Sequence, residues 1–237
     1  MKFWILLVAT LLLLISCFVP ARKVYQFEAN HQDKIWQQGR ELVKLEDDSI
    51  RIVVSYDYSL HGVAWFDLAI SNNSNETFVI DPIQFYCVFT NKFQEEITNN
   101  ALDPEVMLFE SDKQIEHYHA DNLSRMQTNL LFSFFDVVED ISDRNKTEEE
   151  RQQDEIEREL RNIDAEKHQQ SNLTRIDRIN SDRNFIENNA LRKTTLFPGQ
   201  QIGGKLFFEL VYDIKNVILY FPVGNRKFEL EYKSIKY

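Results

Sequence analysis

The hydrophobic pattern of this 237-residue chain changes period twice, and that change dictates its architecture. In the part from Ser49 to Phe89 the signal is strongly β. Ile50, Ile52 and Val54 alternate with Arg51 and Val53, and Ala64, Phe66, Leu68 and Ile70 alternate with Trp65, Asp67 and Ala69. A period of two gathers one set of side chains on one strand face, so each run offers a face to a core. Near Thr98 the period lengthens. Ile115, Tyr118, Met126, Leu130, Phe134, Val137 and Ile141 recur at helical spacing, interrupted around Asn122.

The ends of the helical part carry their own signals. Asp103-Pro104-Glu105 supplies an N-cap, a Pro whose missing N–H costs nothing in the first turn, and an acid at the positive helix end. Thr147 to Glu150 matches a capping box and starts a second helix. Its apolar stripe is narrow: Ile156, Leu160 and Ile163, then polar residues 167–172, then Leu173, Ile176, Ile179 and Ile186. Residues 102–192 are therefore expected to form two long antiparallel helices, either continuous or with a break near Ser171. The run Leu130-Leu131-Phe132-Ser133-Phe134-Phe135 is too short to span a membrane, and burial against the sandwich or the partner helix is expected for it, with a docking surface as the alternative.

Strand signals return after the insertion. Thr194 to Phe197, Leu206 to Tyr212, Asn216 to Phe221 and Lys227 to Tyr232 read as strands, the last two joined across residues 222–226, and Gly203-Gly204 as a strand start or bulge. With aromatic residues at 13%, a single sheet could not leave both faces wet, so a second sheet must cover it. The strands before and after the insertion number about seven, as in an Ig-like β-sandwich. The expected fold is thus a mainly β, Ig-like sandwich built from residues 49–101 and 193–237, with a long helical insertion at 102–192, α+β overall.

The amino terminus bears on location. Lys2 and the apolar block from Phe3 to Ile15 have the form of an export signal. Leu14-Ile15-Ser16-Cys17 resembles the lipobox of bacterial lipoproteins, which implies residues 1–16 as signal peptide, lipid attachment at Cys17, and residues 17–48 as tether and lead-in to the domain. Val19-Pro20-Ala21 is a competing site for ordinary signal cleavage, and a permanent anchor is a third possibility. The other cysteine, Cys87, lies in an apolar strand with no basic neighbour in sequence and is expected to be a small buried hydrophobe.

The order of lipobox, then Phe66-Asp67-Leu68-Ala69-Ile70-Ser71-Asn72-Asn73-Ser74 and Phe78-Val79-Ile80-Asp81-Pro82, then Thr195-Leu196-Phe197-Pro198-Gly199-Gln200 and residues 203–208, resembles bacterial envelope lipoproteins with an immunoglobulin-like domain. The resemblance implies an extracytoplasmic sandwich with a binding or structural role and carries no catalytic residues. It also brings Asp48-Ser49-Ile50 into view as an O-glycosylation tripeptide, against a plain strand-connecting turn.

Little chemistry competes with that reading. A net charge of -11 excludes nucleic acid as the main partner. His117 and His119 are two apart on a helix and point to different faces, so neither a metal nor a cofactor site is expected. Phosphate-binding glycine loops, nucleophile elbows and zinc-protease helices are missing from the sequence. Asn72, Asn75, Asn122, Asn145 and Asn172 begin sequons that reflect an Asn-rich composition. The expectation is a non-enzymatic lipoprotein at the outer membrane or periplasmic face. Its partners would be the membrane, through the lipid, and an envelope protein or glycan. An extracytoplasmic enzyme or accessory subunit acting on envelope polymer is the alternative.

Overall fold

A computed structural model of the chain describes residues 25–60, 62–142 and 147–235. Leu14 to Cys17, the Val19-Pro20-Ala21 site, His61 and Asn145 lie outside the described residues. Two five-stranded antiparallel sheets share one core. The first has the order β1 (Gln26–Ala29), β12 (Arg226–Ile235), β11 (Ile214–Val223), β7 (Tyr86–Asn91), β8 (Glu96–Asn100). The second runs β10 (Gln201–Glu209), β5 (Val63–Asn72), β4 (Ile50–Leu60), β3 (Arg40–Glu46), β2 (Lys34–Gln37). A small ladder of β6 (Phe78–Ile80) and β9 (Thr194–Leu196) joins the chain before and after the insertion.

The alternation read from sequence is the alternation that packs. Ile50, Ile52, Val54, Ala64, Phe66, Leu68 and Ile70 are buried from the second sheet, and Phe85, Cys87, Phe89, Val217, Leu219, Phe221, Leu230 and Tyr232 complete the core with residues of the first. Phe66 makes edge contacts with Phe208 of its own sheet and with Tyr232 of the other, at 5.9 and 5.3 Å between ring centres, and the second of these fixes how the sheets interdigitate. Cys87 is fully buried, and burial pushes its thiol up to about 12.

Among the described residues twelve strands form, not about seven. The extra ones are short or weakly buried: β2 and β8 are sheet edges with no buried residue, so alternation could not reveal them. Residues 17–48, read as tether and lead-in, supply three strands from Gln26 onward, in both sheets. The Asp48-Ser49-Ile50 tripeptide sits in the tight turn between β3 and β4, where Asp47 Oδ1 accepts the N–H groups of Ser49 and Ile50 at 2.8 and 2.7 Å. The Arg226 guanidinium donates to the Ser49 hydroxyl oxygen at 3.0 Å.

Helix α1 (Pro104–Ser142) and helix α2 (Glu148–Asn189) make the insertion. At the start of α1 the Asp103 carboxylate accepts the Glu105 N–H at 2.9 Å, and α2 begins on the expected capping box of Thr147 and Glu150. At 1.5 Å per residue each helix is about 60 Å long. Neither helix breaks at Asn122 or Ser171. The polar residues at those points meet across the helix pair, where the Asn172 amide group donates to Asp121 and Asn122, so the polar gaps face each other and do not break the helices.

Gly203-Gly204 is neither a strand start nor a bulge, because β10 pairs with β5 in unbroken register from Gln201 to Glu209. Its role is close approach. A Cβ on Gly204 would lie 2.5 Å from the Leu191 nitrogen and 2.6 Å from its Cα, where the chain leaving α2 crosses the strand. Gly204→Ala should therefore cost about 1–3 kcal/mol in a denaturant titration, by forcing backbone apart in a packed region. Gly203→Ala, whose nearest new neighbour is the Leu68 carbonyl at 3.3 Å, should cost less. Equal losses would contradict this assignment.

Candidate functional site

The helical hairpin is the site candidate, and it is held at its root. Two backbone bonds clamp both ends to β10, the edge strand: the Leu102 N–H donates to the Phe207 carbonyl at 2.8 Å and the Leu191 N–H to the Lys205 carbonyl at 2.9 Å. Between them, on the outer face of the second sheet, Phe207, Leu108 and Ile186 are buried together against Val63, Trp65, Leu102, Met107 and Ala190. Trp65 is the centre of this platform. Its ring lies 4.6 Å from Tyr58, 5.0 Å from Phe185 of α2 and 5.2 Å from Phe207 directly across the ladder.

Charges surround the platform. An irregularity in register between Tyr56 and Tyr58 leaves Asp57 as an extra residue in β4 and re-aims it outward. Lys205 then bridges Asp57 and Asp67 at 2.6 and 2.7 Å, and Arg40 binds the same two carboxylates from the other side at 3.0 and 2.7 Å. Burial works against the Lys205 charge, but the hydrogen bonds from both carboxylates outweigh it and raise its pKa. Glu105 of α1 receives a forked bond from Arg192, at 2.6 and 2.7 Å, and Arg183 of α2 meets Asp112 of α1. Asp57 and Asp67 are thus each engaged by both cations. Sequence reading missed this cluster because the irregularity at Asp57 has no signature in composition. Phe207 did leave one, as the middle of three consecutive apolar residues in a strand.

Midway along the hairpin the two polar interruptions of the apolar stripes coincide. The Asn172 amide, 1% exposed, donates to Asp121 Oδ2 at 2.9 Å and to Asn122 Oδ1 at 2.8 Å. A buried polar residue of this kind sets register between helices that apolar stripes alone leave free to slide. The Asn172 bond first, and Arg125 after it, hold the Asp121 carboxyl below its usual range. Asn172 and Asn72 are too buried to accept a glycan in this fold.

Beyond that node the expected burial of residues 130–135 does not occur. Leu130 and Phe134 are 63% and 64% exposed, and Leu123, Met126, Leu131, Phe132, Phe135, Val137 and Val138 are exposed too. The reason lies opposite: in this stretch α2 presents Arg158, Arg161 and Asn162, and the two arginines bind Asp136 of α1. On α2 itself Ile156 and Leu160 are exposed. A groove of about 590 Å³ runs between the helices, lined by Leu123, Met126, Leu130 and Leu173, with Asn129, Ser133 and Gln169 among its polar walls. Nine apolar side chains on one helix, each about half to two-thirds exposed, make on the order of 800 Å² of apolar surface, more than the 300–600 Å² of the largest patch on a typical monomer.

Other surfaces offer less. His117 and His119 are exposed on α1, and no cluster of three or more His, Cys, Asp or Glu placed to hold a metal occurs among the described residues. On the outer face of the first sheet Tyr86 and Tyr220 stack at 4.8 Å, but the Lys227 ammonium lies 4.0 Å over Tyr220, on a face a sugar ring would need. No helix among the described residues is long and apolar enough to cross a membrane. No family model, curated protein or solved structure matches the chain.

The polar node can be tested directly. The Asp121 carboxylate is stabilised by bonds made only in the fold, so their contribution is present above the unfolded pKa and is lost as pH falls through the lower folded one. In a carboxyl NMR titration of Asn172→Ala, the Asp121 midpoint should move up toward the ordinary value of about 3.9. An unmoved midpoint would show that Asn172 does not bond Asp121 in solution.

Proposed function

We propose that the protein is a non-enzymatic, extracytoplasmic lipoprotein, tethered through Cys17, and a binding module of the bacterial cell envelope. An immunoglobulin-like sandwich carries a helical arm whose distal half docks a partner protein. The observation that supports this most is the exposed apolar surface on the distal arm. In water such a surface forfeits about 1–2 kcal/mol per large side chain that a partner could recover. A lipid at Cys17 would sit eight residues before Tyr25, whose carbonyl accepts the Tyr56 hydroxyl at 2.7 Å, so the domain stands close to the membrane and the arm supplies reach. A protein partner is favoured over a glycan because the apolar groove lacks stacked aromatic rings, and the Tyr86 and Tyr220 stack is capped by Lys227. The alternative, an enzyme on envelope polymer, would draw on Asp57 and Asp67, which are already neutralised by Lys205 and Arg40.

Two experiments test the two halves of this reading. Labelling with a radioactive fatty acid should mark the wild-type chain and vanish in Cys17→Ala; persistence of the label would remove the tether. A photo-cross-linking residue placed at Leu130 should give discrete adducts in intact envelopes, lost when Phe134→Asp is added. The same probe at Tyr212, on an exposed loop of the sandwich, should give none. Adducts equal at both positions would contradict a docking arm.

A further inference from the structure

The outer half of α1 is apolar on more faces than one neighbour can cover. From Leu130 to Val138 every residue except Ser133 and Asp136 is apolar, and those side chains are 47% to 64% exposed. A helix that is apolar around most of its circumference belongs inside a core. Here α2 lies on one side only, with Arg158 and Arg161 on Asp136. A lone helix from elsewhere would close one further side, whereas a second hairpin brings two helices and completes a four-helix arrangement. Charge points to the same occupant. Between Asp121 and Asp136 the only charged residue of α1 is Arg125, and the groove is lined by His119 and Arg125 but by no acid. On α2, residues 148–164 contain eight Asp and Glu against three Arg, and residues 165–181 contain two against three Lys and Arg. The boundary between these segments lies level with Leu130 and Leu131, because Asp136 meets Arg158 and Arg161 on one side of it and Asp121 and Asn122 meet Asn172 on the other. Two arms laid antiparallel about that level set the acidic segment of each against the slightly basic segment of the other. Parallel arms would set acid against acid.

We propose that the docking partner of the arm is a second copy of this chain, the two arms packed antiparallel about a two-fold axis between Leu130 and Leu131. The proposal rests on the reading of the arm as a docking surface and names what docks. In this register Leu123 of one copy lies level with Val138 of the other, Met126 with Phe135, and Arg125 with Asp136, so the apolar strip of α1 is laid on itself and its single cation falls level with an acid. One patch meeting its own copy is what a two-fold interface requires. The exposed apolar side chains of two arms offer up to about 1,600 Å², the size of a standard stable interface. The lengths fit as well. At 1.5 Å per residue the root at Pro104 is about 40 Å from the axis and the start of α2 at Glu148 about 25 Å, so the helical part of each arm ends short of the other copy's sandwich. A bilayer is a poorer occupant, since helices that lie in a membrane surface flank their apolar face with Lys and Arg, and the flank at residues 148–164 is acidic.

The test uses two differently tagged full-length copies expressed together in intact envelopes, one carrying the photo-cross-linking residue at Leu123. The expected adduct carries both tags and has twice the mass of one chain. Its cross-linked peptide should map to α1 around Val138 of the other copy, which is about 22 Å from Leu123 along its own helix and so out of reach within one chain. Phe134→Asp in both copies, at a position 64% exposed in the single chain, should reduce the double-tagged adduct at least roughly tenfold by burying an unpaired charge. Far-UV circular dichroism of the purified variant should keep the helix signal of the wild type. In the purified wild-type chain, amide exchange from Leu130 to Val138 should be fast when dilute and slow as the concentration is raised. A double-tagged adduct that survives Phe134→Asp, one that maps near Leu123 of the other copy as parallel arms require, or adducts with lipid alone would overturn the proposal. If the adducts at Leu123 and Leu130 hold a different protein and still depend on Phe134, the docking surface stands and only the second copy falls. If neither position gives an adduct that depends on Phe134, both readings fall.

Discussion

The interaction on which the rest of the structure depends is the seating of the hairpin root on Trp65 and β10. An insertion of two 60 Å helices in a β-sandwich is mechanically unfavourable unless its ends are fixed, since any play at the root is amplified along the arm. Here both ends bond to one strand, and the gap at Gly204 lets the returning backbone lie against it. The same arrangement covers the free edge of β10, which would otherwise be open to pairing with another chain. Covering the edge and fixing the arm are thus one device.

Above the root the balance of forces changes stepwise. Apolar burial and ion pairs dominate near Leu108 and Ile186, a polar node at Asn172 fixes register midway, and farther out Asp136 of α1 pairs with Arg158 and Arg161 of α2. Exposed ion pairs contribute about 0–1 kcal/mol each, far less than the packing at the root. The apolar side chains of the outer half therefore contribute little to the fold that carries them.

Much of this was legible in the sequence, for physical reasons that also mark the limits. Strands such as β5, with one face wholly in the core, wrote a clean alternation, and both helix starts were marked by caps whose bonds form as expected. Edge strands such as β8 bury nothing and left no pattern. The interruptions at Asn122 and Ser171 were visible but misleading, because a polar gap reads as a break in one helix and only the fold shows two gaps facing each other. The platform was hidden for a different reason: Trp65 and Phe207 sit on the face that alternation assigns to solvent, and Asp57 joins Lys205 only through an irregular pairing. The apolar run at 130–135 was read as buried, since periodicity reports which side chains share a face and not whether anything covers that face.

The central claim, that the arm is fixed at its root and uncovered in its outer half, is tested most directly by hydrogen exchange along the two helices of the free protein. The account predicts the slowest exchange of the insertion around Leu108 and Ile186, intermediate protection near Asn172, and the fastest helical exchange from Leu130 to Val138. Uniform protection along both helices, or slowest exchange in the 130–138 stretch, would mean that the apolar surface is already covered in the free protein and would contradict it.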